Sequence, residues 1–170
     1  PVNILIGQLP EKSLLEEYKL QAFEGVAEAI RSGNLRLFFK SLEENKSFFI
    51  KHRIYILVER MQWMVYRRLI KLTYATHIVP FLTCRYKMVV DTWPDNQHYK
   101  QGKIEMRHFS STVEAALGEK VSNPQICMIF ANLVSTGSLR AMVYPEYNVV
   151  AFHTKLDPFP NPTVWKGGLL

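Results

Sequence analysis

The chain is poor in cysteine: Cys84 and Cys127 are the only two among 170 residues. That excludes a disulfide-stapled scaffold and fits a reducing compartment. Long apolar runs are missing as well. The longest, residues 126–131, is six residues, against the roughly 20 that a membrane-spanning helix requires. Charge excess is small, with 21 Lys+Arg against 15 Asp+Glu, and 48% of the residues are apolar. A disordered chain would be poorer in apolar residues and richer in net charge. Catalytic motifs are missing too. His52, His77, His98, His108 and His153 never fall at i, i+4 around a Glu, so there is no helical zinc-hydrolase signature. The two cysteines lack any ligand at metal spacing, and no Gly-rich loop precedes a helix to cradle a phosphate. Glu16-Glu17 and Glu43-Glu44 are adjacent carboxylates, which point in different directions on a helix and read as solvated. Nothing here asks for a cofactor, a metal or a catalytic residue.

The basic excess is concentrated. Residues 1–50 carry 6 basic and 7 acidic groups, residues 51–120 carry 12 and 6, and residues 121–170 carry 3 and 2. The net +6 thus belongs to the middle of the chain, which permits a polyanionic partner without demanding one, since many soluble domains are mildly basic. The chain opens in mid-pattern with Pro1-Val-Asn-Ile-Leu-Ile and without Met, so it is expected to be part of a longer protein.

Hydrophobic spacing then organises the sequence. Phe23, Val26, Ala27 and Ile30 repeat as one helical face, as do Leu35, Phe38, Phe39 and Leu42. Between them Gly33 suits a helix end and Asn34 an N-cap, so two short helices are expected to pack antiparallel. Residues 47–76 contain no Gly or Pro. There Ile50, Ile54, Leu57, Val58 and Met61 mark an apolar face, with Leu69, Leu72 and Tyr74 beyond it. At least two helices are expected, broken somewhere between Met61 and Tyr66. Loop chemistry fills residues 89–102, including Trp93-Pro94-Asp95-Asn96. Ile104 and Met106 then read as a short strand, and Ser110 or Ser111 as the cap of a helix ending at Gly118. Asn123-Pro124 starts a helix that buries Ile126, Ile129, Phe130 and Leu133 and ends at Thr136-Gly137. Leu139, Ala141 and Val143 alternate with Arg140, Met142 and Tyr144 as a strand, Pro145 to Asn148 turns, and Val149 to His153 returns. Strand, helix, turn, helix, hairpin is the order of a winged helix.

Helical repeats leading into a C-terminal winged helix are the layout of the PCI domain, an α+β, mostly α fold. The wording is similar at several points. Phe23-Glu-Gly-Val-Ala-Glu-Ala-Ile-Arg-Ser-Gly-Asn34, Phe48-Phe49-Ile50 and Ile54-Tyr-Ile-Leu-Val-Glu-Arg60 resemble the PCI subunit of the nuclear transcription-and-export complex. They resemble equally its close relative, the signalosome-associated twelfth subunit. Tyr66-Arg67-Arg68-Leu69 corresponds to the family's Tyr-Arg-Asn-Leu, departing at Arg68. Ile129-Phe-Ala-Asn-Leu-Val134 with Gly137, and Asp157-Pro-Phe-Pro160, complete the likeness. The resemblance places the helical-repeat part at residues 1–88, an irregular connection at 89–102, the winged helix at 103–156 and a tail at 157–170.

The resemblance implies a non-enzymatic nuclear scaffold that pairs with a large GANP-type or homologous PCI protein and is clamped by a small acidic Dss-type peptide. The paired winged helices would form a platform for RNA or DNA in messenger RNA export or in transcription and splicing. A purely protein-binding subunit of a signalosome or proteasome-lid-like complex is the alternative. The residues themselves suggest where contacts fall. Arg53, Arg60, Arg67 and Lys71 share one stripe if a single helix carries them, a stripe that is otherwise a solvated face; Arg68 lies beside it. Lys100, Lys103, Arg107, His108, Lys120, Arg140 and Lys155 surround the expected winged helix. The helix after Pro124 has no Lys or Arg, unlike a major-groove reader. Nucleic-acid binding is therefore expected from Lys103, Arg107, Lys120, Arg140, Lys155, Arg67, Arg68 and Lys71, sequence-tolerant and salt-dependent. Protein contact is expected from Met128 and Asn132, and from Trp63 and Tyr66, for which a core role is the competing reading. Trp93 and Trp165 fall in the loop and the tail, and Cys127 reads as a buried inert thiol.

Overall fold

The computed structural model describes residues 12–18, 20–83 and 102–160. The expected loop at 89–101, with Trp93 and Lys100, and the tail beyond 160, with Trp165, lie outside the described residues, as does Cys84. The chain divides into two compact units, one up to Leu69 and one from Ile70 to Pro160. No described helix is long and apolar enough to cross a membrane.

In the first unit, α1 (Lys12–Glu17) and a 3-10 turn (Gln21–Phe23) precede α2 (Glu24–Ser32), α3 (Leu35–Glu44), α4 (Lys46–Lys51) and α5 (Tyr55–Arg60). The helix α6 (Gln62–Thr83) begins here and continues into the second unit. Phe23, Val26, Ala27 and Ile30 are all buried, as their spacing requires. Gly33 stops α2 at φ 75°, a left-handed conformation open to glycine, and donates its N–H to the Ala29 carbonyl. Asn34 Oδ1 then accepts the Leu37 N–H at 3.1 Å to start α3. The buried face of α3 is rotated from the expected one. Ser41 is buried with Leu35, Phe38 and Leu42, while Phe39 is exposed. Gly25 explains the rotation, since a side chain there would strike Ser41 and its absence lets α2 approach on that side.

The long Gly-free stretch breaks where no residue type announces it. After α4 the chain reverses at Arg53, φ 55°, with Arg53 N–H donating to Ile50 O and Ile54 N–H to Phe49 O. This is the arrangement in which glycine usually closes a helix, here occupied by arginine. A second break falls at Met61 between α5 and α6. The apolar face expected across both helices is accordingly interrupted. Val58 and Met61 are buried, but Ile50 is 56% exposed.

The second unit holds the rest of α6, then β1 (Lys103–Glu105), α7 (Met106–Leu117), α8 (Asn123–Ser135), β2 (Ala141–Tyr144), a 3-10 turn (Pro145–Tyr147) and β3 (Val149–Phe152). The strands form one antiparallel sheet in the order β1-β3-β2, with Lys103 opposite Ala151 and Met142 opposite Ala151 on the other side. Two sequence expectations shift. Met106 opens α7 instead of ending β1, although its N–H, which has no partner within the first helical turn, still makes the last bond of the β1–β3 register to the Asn148 carbonyl at 2.7 Å. Ser110 is therefore inside the helix, its Oγ donating to Met106 O. The cap of α8 is Ser122, one residue before the expected Asn123, and Gln125 Oε1 closes the capping box by accepting the Ser122 N–H at 2.8 Å. Ile126, Ile129, Phe130 and Leu133 are buried as expected.

The inward face of the sheet carries Ile104, Val150 and Phe152. The Phe152 ring centroid is 5.9 Å from that of Phe109, 4.7 Å from Tyr74 and 5.9 Å from Phe159. Residues 157–160 belong to this core, although the sequence reading assigned them to a tail. Phe159 is buried, its N–H is held by Asp157 Oδ1, and the Pro158 carbonyl accepts the Arg140 N–H at 2.8 Å.

Substitutions at two positions test these features. Phe159→Ala should destabilise the second unit by about 3–5 kcal/mol, the range for deleting a buried ring, and a denaturant midpoint unchanged from wild type would refute its core role. At the α4–α5 reversal, Arg53→Val should be destabilising, since a β-branched residue tolerates positive φ less well than arginine does. Arg53→Gly should be neutral or stabilising in the same melting experiment.

Candidate nucleic-acid interface

Four of the eight cations expected to meet nucleic acid gather around the loop that follows β3. His153 organises that loop: its Nδ1 accepts the backbone N–H groups of Lys155 and Leu156 at 3.2 and 3.0 Å. Arg140 is tied to it from the other strand, its carbonyl accepting the His153 N–H and its Nη1 donating to Asp157 O at 3.3 Å. Lys103 stands at the start of β1, next to Gly102, whose carbonyl accepts the Phe152 N–H. Gly102 lies at φ 69°, where a side chain would also press on Phe152 O and Thr154 Cγ2, so the chain can pass here only as glycine. Lys71 joins from α6, its Nζ 5.9 Å from the centroid of the Phe159 ring. Among the described residues none of these four cations is in an ion pair.

The other four are elsewhere. Arg107 lies at the opposite end of the sheet, where Met106 reaches Asn148, and its Nε is 2.7 Å from Glu105 Oε2. Lys120 is exposed on the connection between α7 and α8. Arg67 and Arg68 belong to the first unit. Arg68 Nε donates to Arg31 O at 2.9 Å, so it closes the carbonyl end of α2. The stripe of Arg53, Arg60, Arg67 and Lys71 does not form, since Arg53 sits in a reversal and Arg60 ends α5, which leaves only Arg67 and Lys71 on α6.

The residues expected at protein interfaces are likewise divided. Trp63 and Tyr66 are half-buried in the first unit, with ring centroids 5.7 Å apart, and burial pushes the Tyr66 phenol above its ordinary range. Met128 projects from α8 in the second unit, 65% exposed, while Asn132 is half-buried and spends its carbonyl on Thr136. The Cys127 thiol is half-buried, not fully buried as expected, and lies 3.7 Å from Met106 Sδ. No group of three or more metal-ligating side chains occurs among the described residues.

One feature has no motif that could have revealed it. His77 of α6 and His108 of α7 stack with centroids 4.2 Å apart, and His108 Nε2 is buried without a hydrogen-bond partner among the described residues. Burial, then the neighbouring His77 and Arg107, lowers the His108 pKa against a smaller opposing pull from Glu105. The folded state therefore binds this proton less readily than the unfolded chain, whose histidine titrates near pH 6.5. The stabilising contribution is complete above that pH and declines as pH falls through it towards the lower folded value. Melting temperature should drop between pH 7.5 and 5.5 in wild type and drop less in His108→Gln. Equal slopes in the two proteins would exclude His108 as the cause.

Relatives give this arrangement a context. No protein-family model matches the chain. It is similar to PCI domain-containing protein 2 of Xenopus laevis, 36% identical over 160 residues, covering 94% of this chain and 34% of the relative. The Caenorhabditis elegans homologue is 35% identical over 160 residues, covering 94% and 33%. The Drosophila melanogaster homologue is 28% identical over 161 residues, covering 95% and 35%. The chain thus spans about a third of the length of the curated relatives it matches. A likeness that runs along nearly the whole chain, on a mostly helical structure with one small sheet, supports the PCI-domain family for this protein.

Proposed function

We propose that this chain is the PCI portion of a non-enzymatic nuclear scaffold subunit, built of helical repeats followed by a winged helix. In this reading it pairs with a second, larger PCI-type protein, accepts a small acidic peptide protein, and contributes to a nucleic-acid platform in messenger RNA export or a transcription-coupled complex. The order β1, α7, α8, β2, β3 with the sheet order β1-β3-β2 supports the winged helix. The observation that carries the nucleic-acid part is the convergence of Lys71, Lys103, Arg140 and Lys155 around the loop after β3, beside a helix α8 that has no charged side chain. Cations placed on a loop and strand end, with none on the helix, suit phosphate contacts without base readout. Binding should therefore tolerate sequence and fall steeply with salt.

A second reading is favoured by Met128 and the uncharged face of α8, which suit a protein neighbour. There the chain is a protein-binding subunit of a lid-like or signalosome-like complex, and its basic loop serves only solubility or acidic-peptide docking.

Titration of single-stranded RNA against the chain at several salt concentrations separates the two. If the four cations meet phosphates, log K should fall against log salt with a slope of about −3, from roughly 0.7 per contact. Arg140→Ala with Lys155→Ala should make that slope shallower by about 1.4 while leaving capture of the large partner intact. Loss of the partner instead would mark the loop as a protein interface, and negligible RNA binding by wild type would leave only the scaffold.

A further inference from the structure

We propose that the outward face of the β1-β3-β2 sheet is a stacking platform for single-stranded nucleic acid, with Tyr144 and Tyr147 as the base-stacking residues. This rests on the nucleic-acid reading above and adds to it the strandedness of the ligand and the groups that recognise it.

Strand alternation sets the geometry. Ile104, Val150 and Phe152 point into the core, so their neighbours Lys103, Glu105, Val149, Ala151, Met142 and Tyr144 face outward. The outward face is graded along its length. At one end Lys103 is opposite Ala151 and Met142, next to the loop that holds Arg140 and Lys155. At the other end Tyr144 is opposite Val149, and the connection from β2 to β3 presents Tyr147, which is 75% exposed. Met142 is 59% exposed, and the Tyr144 hydroxyl donates to its sulfur at 2.9 Å, which lays the phenol ring along the face. No described residue covers this surface. Cations and aromatic rings on one narrow strip are the pairing that a single strand uses, phosphates on the first and unstacked bases on the second.

The alternatives fit less well. A duplex buries its bases and would meet the cations alone, leaving the rings unused. A protein partner needs roughly 800 Å² from each side, and the apolar part of this face is five residues, Met142, Tyr144, Tyr147 and the half-buried Val149 and Ala151. The carboxylates nearby do not cancel the cations. Glu105, in the same cross-strand row as Tyr144, is paired with Arg107, and Asp157 Oδ1 accepts the Phe159 N–H, which leaves Glu146 at the turn as the acid near the rings without an ion pair among the described residues.

The test uses a fluorescently labelled 12-nucleotide RNA and a duplex DNA of equal length, with anisotropy read at one fixed salt concentration. Tyr144→Ala with Tyr147→Ala should weaken RNA binding by about 5- to 100-fold for each ring lost and leave duplex binding within about twofold. Tyr144→Phe with Tyr147→Phe should bind RNA as wild type does, which also excludes misfolding as the cause. Equal RNA affinity in the Ala variant and wild type would overturn the stacking role while the nucleic-acid reading stands. An equal loss for duplex and single strand would overturn the assignment of strandedness. Absence of binding of either probe to wild type would remove both claims.

Discussion

The second unit depends on one packing event, the seating of Phe152 against Tyr74, Phe109, Phe130 and Phe159. Those rings come from α6, α7, α8 and the segment after β3, so a single residue at the end of the central strand brings every layer of the unit to one point. Tilted and edge-on ring pairs of this kind add to the burial term and fix the angles at which the elements meet. The position of the cations follows from this. Arg140 and Lys155 flank the strands that deliver Phe152, and Lys71 lies over the Phe159 ring. The basic surface is in this sense the rim of an aromatic core.

The basic excess in the middle of the sequence therefore divides in the structure according to what each cation touches. Arg68 satisfies the carbonyl end of α2 and Arg107 is matched by Glu105, so both have structural work close at hand. Lys71, Lys103, Arg140 and Lys155 have no carboxylate partner among the described residues. An exposed ion pair contributes little to stability, but it removes a cation from the field available to a ligand, and that distinction matters more here than the net +6.

Much of the architecture was legible because it rests on periodicity. The buried faces of α2 and α8, the glycine stop at Gly33 and the hairpin of β2 and β3 all follow from spacing and turn chemistry. What could not be read depends on contacts distant in sequence. Arg53 adopts a conformation that nothing in its own side chain favours. Phe39 gives way to Ser41 because Gly25, sixteen positions earlier, leaves room for it. Met106 belongs to strand and helix at once, its N–H completing the register to Asn148, forty-two positions later, while α7 begins at it. For the candidate site, residue types were legible and grouping was not. Lys71 was assigned to a helical stripe, and its place beside Arg140 depends on Phe159 folding back after β3. The stacked His77 and His108 belong to the same category, two unremarkable residues that only tertiary packing brings together.

The sheet order has a consequence for how the unit is made. β3 is central, and it pairs with β1 across about half the length of the unit in sequence, Lys103 with Ala151. Closing so long a loop precedes any gain from the pairing, which slows folding in proportion to the non-local character of the contacts. On the ribosome, β1 and both following helices emerge before the strand that β1 needs, and the ring that completes their core emerges later still with Phe159. Until then, the inner sides of α7 and α8 present Phe109 and Phe130 to solvent. Transiently exposed rings of this kind are the surface that a partner or chaperone engages during folding.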